Sequence, residues 1–443
     1  MRVLWEPSVR DRMKVGLDAT PLLGPRTGVG RYVAGLAGAL ASLAGPDPEE
    51  LVLVPFTWRG TGDLPAAAPS GPRVRVGRRR APARLLQAAW SRLPWPPVEW
   101  LSGPVDVFHA TNFTAPPTSR AATVVTIHDL TYLRYPEMVT DASARYRELV
   151  PRALRRGAVV ATPTAAVATE VAEEYGLGPE RLVVTPLGVD DTWRQATPPD
   201  PAWLAAHGLP ERYLLFVGNR EPRKNLGTLL AAYRELLGER GRAAAHPQGG
   251  GPPGRGANPN PAAAGAVGTG PTVGEGAGAA TAPAATAPAT STAAANHRIP
   301  PLVLVGPPGW GEALDTAGLP AGAVRTPGYL SEADLARVVA GAAALVSPSW
   351  YEGFGLPALE ALACGTPVVA SDIPAHREVL GDQAQLFGPD DPGALAAALA
   401  AILDDPGGEP ARAARRTRAA GFTWENCATA TLAAYGRALE RRR

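Results

Sequence analysis

The chain has 443 residues, enough for roughly two or three domains with real cores, so a single small module is excluded. Lys and Arg total 43 against 41 Asp and Glu, a near-neutral balance that argues against nucleic acid as an obligatory partner. The two cysteines, Cys364 and Cys427, cannot make a disulfide framework or a four-ligand zinc site, and they suit a reducing cytoplasm.

Residues 1–12 carry Glu6 and Asp11 and lack the apolar stretch of a signal peptide. Export is not expected, and the fold is expected to start at Met13, with 1–12 as an extension. The longest apolar runs, 338–346 and 394–403, fall well short of the roughly 20 residues that cross a bilayer. No transmembrane helix is expected.

From Met13 onward, short Val/Leu/Ile runs alternate with helical stretches. The runs are 15–17, 51–56, 105–109, 123–127, 159–161 and 182–184, then 213–217, 302–305, 343–346 and 367–370. Strands that are apolar on both faces and separated by helices imply parallel sheets covered on both sides. The expected fold is therefore α/β, with two doubly wound, Rossmann-like domains over 13–195 and 205–425. A C-terminal helix over 426–443 is free to return to the first domain. Within the second domain, 241–297 holds only Val267 and Val273 as larger aliphatics. Such a segment buries too little apolar surface to offset its backbone entropy and reads as a disordered, low-complexity insert.

Substrates of doubly wound domains lie outside the carboxyl ends of the strands, and the informative motifs sit there. Gly24-Pro-Arg-Thr-Gly28-Val-Gly30-Arg31-Tyr32 follows the first strand and opens a helix, as a phosphate-approaching loop or simply a tight turn. Between 73 and 100 lie seven arginines and one acid, Glu99. A helix over 83–93 would align Leu85, Leu86, Ala89, Trp90 and Leu93, with Trp95 and Trp100 following. That pattern fits a helix packed on the first-domain sheet with solvated arginines, or an interfacial helix on anionic lipid. His128 ends a buried strand and reads as a hydrogen-bonded structural group or a site residue.

In the second half, Gly218-Asn-Arg220-Glu-Pro-Arg223-Lys224-Asn225 joins a buried strand to a helix start. Its three cations can converge on phosphate oxygens or remain solvated. The most specific stretch is Ser347-Pro-Ser-Trp-Tyr-Glu352-Gly353-Phe354-Gly355-Leu356-Pro357-Ala-Leu-Glu360, read as strand, glycine loop and helix, with Pro357 at the first helical position. Glu352 then lies in the loop and Glu360 near the helix start, where its side chain leans back toward the N-terminus. Two carboxylates bordering free N–H groups can bind sugar hydroxyls around a diphosphate. Alternatively, one is a surface residue and the other a favourable charge near the positive helix end.

The combination resembles the retaining glycosyltransferases of family 4, of GT-B architecture, from about Lys14 to Trp424 outside the insert. Pro186-Leu-Gly-Val-Asp190 is similar to the segment that leaves the first domain in that family. The resemblance implies that Glu360 binds the nucleotide ribose, that Glu352 holds donor-sugar hydroxyls, and that the backbone of Gly353, Phe354, Gly355 and Leu356 contacts sugar and diphosphate. Lys224 with Arg223 or Arg220 would neutralise the leaving diphosphate. Asn219 follows Gly218 where members of the family have arginine, so the choice between the two arginines stays open. His128 is similar to the histidine beside the sugar, and Gly28 and Gly30 to the loop near the phosphates.

No Asp-x-Asp occurs in the chain, so neither a metal nor another cofactor is expected. The strings Ile127-His-Asp-Leu-Thr-Tyr-Leu-Arg-Tyr-Pro136-Glu137 and His109-Ala-Thr-Asn112 are similar to bacterial mannosyltransferases. The expectation is a hexosyltransferase using GDP-mannose and a glycan or lipid-linked acceptor of the cell envelope. It would be cytoplasmic, with peripheral membrane contact through 73–100. A UDP- or dTDP-sugar with a small-molecule acceptor, a sugar phosphorylase and a silent sugar-nucleotide-binding scaffold are the alternatives.

Overall fold

The computed structural model describes residues 13–24, 28–43, 48–57, 62–77, 79, 85–86, 89–90, 93–245, 299–311 and 313–443. The predicted extension 1–12 and most of the predicted insert lie outside them. Among the described residues, contacts group those up to Leu236 and from Pro300 onward into one larger compact unit.

The larger unit holds two parallel sheets. The first orders its strands β3-β2-β1-β4-β5-β6-β7: β1 Lys14–Asp18, β2 Glu50–Val54, β3 Val74–Val76, β4 Val107–Ala110, β5 Ala122–Thr126, β6 Val159–Thr162 and β7 Leu182–Val184. The second orders them β10-β9-β8-β11-β12-β13: β8 Leu214–Val217, β9 Leu302–Val305, β10 Val324–Gly328, β11 Ala344–Ser347, β12 Val368–Ser371 and β13 Gln385–Phe387. Every run marked in the sequence is a strand or most of one. The runs do not mark β3, β10 and β13, which read Val-Arg-Val, Val-Arg-Thr-Pro-Gly and Gln-Leu-Phe. These are edge strands, half covered and open on one side, so they need no continuous apolar run.

Strand order reverses between β1 and β4 in the first sheet and between β8 and β11 in the second. The crevices at these switch points are where doubly wound sheets bind ligands. Helix α1 (Gly28–Ser42) follows β1 and buries Tyr32, Val33, Leu36, Ala37 and Leu40. Helix α2 (Ala165–Tyr175) follows β6 and is N-capped by Thr164. On the second sheet lie α3 (Leu226–Ala245), α4 (Glu332–Gly341), α5 (Leu356–Cys364) and α6 (Pro374–Leu380).

Two boundaries shift. Helix α3 runs on to Ala245, past the predicted insert start at Gly241, because alanine favours helix. The C-terminal helix, α7 (Trp424–Arg442), starts before residue 426, at an N-cap where Thr423 accepts from the Asn426 amide. This helix packs on α1 and on β5, β6 and β7. There Tyr435 is buried, its hydroxyl 2.9 Å from His109 Nδ1. Gly188, on the way out of the first sheet, runs against the backbone of Thr423 and Trp424, where any Cβ would collide.

The basic stretch 73–100 is described only in part; Arg78, Arg80, Arg84 and Arg92 lie outside the described residues. The aligned face expected there does not hold together. Leu86 and Trp90 are buried in the first lobe, Trp90 edge-on to Phe56 and donating to the Pro96 carbonyl at 2.8 Å. Leu85 and Trp95 are each 67% exposed, and Leu93 and Trp100 are exposed too. Among the described residues no helix is long and apolar enough to cross a membrane.

Candidate active site

A cavity of about 330 Å³ lies between the carboxyl ends of the two sheets. Gly28 and His128 reach it from the first lobe, and Gly218, Arg223, Lys224, Glu352, Gly353, Phe354, Gly355 and Leu356 from the second. Gly30 is buried in α1 instead. Arg220 is off the wall, its backbone joined to Pro307 and Gly311. Of the two candidate arginines, the fold therefore sets Arg223 beside Lys224.

After β8, Pro222 starts a single 3-10 turn, Pro222–Lys224, that ends at Asn225 in the left-handed region, φ 54°. Asparagine tolerates that conformation, and its side chain donates to the carbonyls of Pro348 and Pro389 at 3.1 and 2.8 Å. The turn thus carries both cations to Glu352. Arg223 donates to Oε2 at 2.8 Å, while Lys224 and Ser349 reach Oε1 at 2.5 and 2.7 Å. Burial alone would raise the Glu352 pKa, but Arg223 and then Lys224 outweigh it and hold the carboxyl well below its usual range. An ammonium has three N–H bonds, so Lys224 keeps donor capacity for a phosphate beside Glu352.

Beyond Glu352 the loop ends at Gly355, φ 88°, and α5 begins at Leu356. Pro357 is therefore at the second helical position, one residue later than expected. The N-terminus of α5 opens on the cavity, offering backbone N–H groups that helical geometry leaves free. Gly353 must be glycine, because a Cβ there would run into the His128 carbonyl of the opposite lobe. Its own carbonyl accepts from Thr164 at 3.0 Å.

His128 is half-buried, its Nε2 donating to the Thr111 carbonyl at 2.8 Å. Nδ1 of the neutral ring is then an acceptor. Burial lowers its pKa despite that bond and Asp129. Tyr32 and Phe113 meet the ring edge-on at 5.1 and 5.6 Å. Glu360 lies on the second turn of α5, is 2% exposed, stands just off the residues that line the cavity, and is ion-paired with Arg31 of α1. Every residue of α5 but Pro357 is buried, and the Glu360 side chain meets the facing lobe through Arg31.

The sequence pattern shows Arg31 only as part of a glycine loop. It gives no local sign of two other groups that join the lobes. The Tyr351 hydroxyl accepts from the Leu130 amide at 3.0 Å and donates to Glu170 at 2.8 Å. Glu378 of α6 accepts from the first two amides of α2 at 2.7 and 3.0 Å. An arginine on the first turn of a cleft helix was the available signal for Arg31. For the other two the partners lie far away in the sequence.

Two doubly wound lobes around one crevice, with a cation pair and a helix N-terminus on its wall, define the GT-B architecture, and the protein is a glycosyltransferase. Residues 26–193 match "Glycosyltransferase Family 4", and residues 286–405 match "Glycosyl transferases group 1". The chain is 28% identical to the O-antigen chain mannosyltransferase B of Escherichia coli over 96% of this chain and 99% of that one. Over a shorter segment, 25% of this chain and 29% of that one, it is 38% identical to the GDP-mannose-dependent alpha-(1-6)-phosphatidylinositol dimannoside mannosyltransferase of Mycobacterium tuberculosis. The sucrose-phosphate synthase of Thermosynechococcus elongatus shares the fold, with a TM-score of 0.61 at 19% identity, covering 96% of this chain and 98% of that one. The two family matches and the chain-long relative support a family 4, mannosyltransferase-like protein, and the chain is a hexosyltransferase.

Proposed function

We propose that the protein moves mannose from GDP-mannose to a glycan or lipid-linked acceptor of the cell envelope, with retention and without a metal. The observation that carries the reading is the joint hold of Arg223 and Lys224 on Glu352, across the cavity from His128. As the anomeric C–O bond breaks, the diphosphate gains negative charge. Fixed cations and the α5 N-terminus stabilise that charge more than the ground state. The acceptor oxygen attacks from the face the diphosphate leaves, and its proton passes to a phosphate oxygen. Glu352 holds sugar hydroxyls, and neutral His128 positions the ring. The mannose and GDP assignments are supported by the names of the relatives; the chain-long one is a mannosyltransferase.

The exposed Leu85, Leu93, Trp95 and Trp100, near Arg75 and Arg79, support peripheral contact with the inner face of the cytoplasmic membrane. Arg79 lies 5.5 Å over the Trp100 ring. Vesicles with anionic lipid should co-sediment the protein at low salt, and changing Arg78, Arg79 and Arg80 to Ser should release it. Sedimentation blind to both would remove the membrane from the reading.

For the chemistry, purified protein is offered labelled GDP-mannose, UDP-glucose and dTDP-glucose, with and without EDTA. The expected result is turnover chiefly of GDP-mannose, insensitive to EDTA, giving an α-linked product from the α-linked donor. Preference for a uridine or thymidine donor, loss with EDTA, or a β-linked product would each overturn the corresponding part.

A further inference from the structure

Among the described residues, Glu360 is the motif carboxyl whose ion-pair partner comes from the other lobe. Its Oε1 pairs with Arg31, and Oε2 is buried with no hydrogen-bond partner among the described residues. Arg31 comes from the first turn of α1, where its guanidinium lies 4.9 Å over the Trp193 ring and 3.9 Å from Glu332 of α4. Trp193 and α4 flank it, and it lines the cavity. A buried carboxylate is tolerated when it is paired, and an oxygen left bare is an acceptor waiting for a donor.

We infer that Arg31 is a positioning residue for donor recognition. It holds one oxygen of Glu360 from across the cleft and thereby leaves the other, unpartnered one to accept from the hydroxyls of the nucleotide ribose. Donor affinity then depends on contact between the lobes: when they part, Glu360 loses its counter-charge, and when the ribose binds, the closed arrangement gains. Arg223 and Lys224 do not share this dependence, since their carboxylate lies in their own lobe. The inference rests on Glu360 as the ribose carboxylate, so the test separates the two.

Binding of GDP and of 2′,3′-dideoxy-GDP is measured by calorimetry on the full chain and on its Arg31→Met, Arg31→Lys, Glu360→Gln and doubly substituted Arg31→Met/Glu360→Gln variants, with melting temperature alongside. GDP should bind about tenfold more weakly to Arg31→Met, and the preference for GDP over its dideoxy analogue should shrink. Arg31→Lys should recover part of the loss. The double variant should bind no more weakly than Glu360→Gln, since the two act as one unit. In turnover, Arg31→Met should raise the donor KM far more than it lowers kcat.

A role confined to stability would lower the melting temperature and leave GDP affinity and ribose discrimination intact, which overturns the inference. Additive losses in the double variant overturn it as well. If Glu360→Gln binds GDP like the parent, the ribose reading itself falls and takes the inference with it. If Glu360→Gln weakens GDP and Arg31→Met does not, only the role of Arg31 falls.

Discussion

Glu352 and Glu360 stand eight positions apart on one loop and helix, yet their surroundings are opposite. Glu352 meets Arg223, Lys224 and Ser349, all from its own sheet. Glu360 meets Arg31 from the other sheet. The first carboxylate is organised before any substrate arrives; the second is complete only when the lobes touch. One site thus combines a fixed electrostatic centre with a contact that depends on closure.

Removing Glu352 is the severest way to break that contrast. Glu352→Gln leaves two half-buried cations facing each other, and breaking a buried pair costs about 3–5 kcal/mol. Donor turnover should fall by at least about 100-fold, as for a lost transition-state contact, with a lowered melting temperature. Combining it with Lys224→Met should restore stability, by calorimetry, without restoring turnover.

Gly353→Ala tests the closed contact without touching a charge. Its Cβ would displace the His128 carbonyl, so turnover should drop by roughly tenfold or more while GDP binding, measured on the folded variant, changes less. Glu360→Gln comes next: loss of one charge-assisted hydrogen bond, about 1.5–3 kcal/mol, should weaken GDP binding, and leaving Arg31 without its counter-charge should lower the melting temperature as well.

Asp18, at the end of β1, is a control outside both glutamate clusters. Burial pushes its pKa up to about 6, against its hydrogen bonds from Thr20. The folded protein therefore holds this proton more tightly than the unfolded chain. The stabilisation is full below the usual carboxylate pKa and is lost as pH rises through 6. Asp18→Asn should melt higher than the parent at pH 8, and that advantage should disappear toward pH 4. A difference that ignores pH would refute the assignment.

The smallest effect is expected from deleting 246–298 with a short Gly/Ser bridge. The composition of that stretch offers almost no core residue, so melting should move by less than about 2 °C and turnover should hold.

The fold was legible because its central strands are covered on both faces. Runs such as Leu-Val-Leu-Val at 302–305 and Val-Val-Ala at 159–161 have no other stable use between helices. The edge strands were not, since an edge can carry Arg75, Arg325 or Gln385 at little cost. The cation turn and the glycine loop were legible for a different reason: Pro222, Asn225, Gly355 and Pro357 impose local backbone geometry that short spacing reveals. Those same local rules placed Arg220 and Arg223 on equal terms, and only the path of the loop past Pro307 and Gly311 separated them.

The sequence by itself thus determined two parallel α/β sheets, the loops at their carboxyl ends, and the residue types that can meet a nucleotide-sugar, because periodicity and turn chemistry act over a few residues. Which lobe supplies the counter-charge of Glu360, which of Leu85, Leu86, Trp90 and Leu93 are buried, and how closely Gly353 approaches His128 were decided by the tertiary structure. Those features depend on surfaces brought together from distant parts of the chain, and no local pattern encodes their distance.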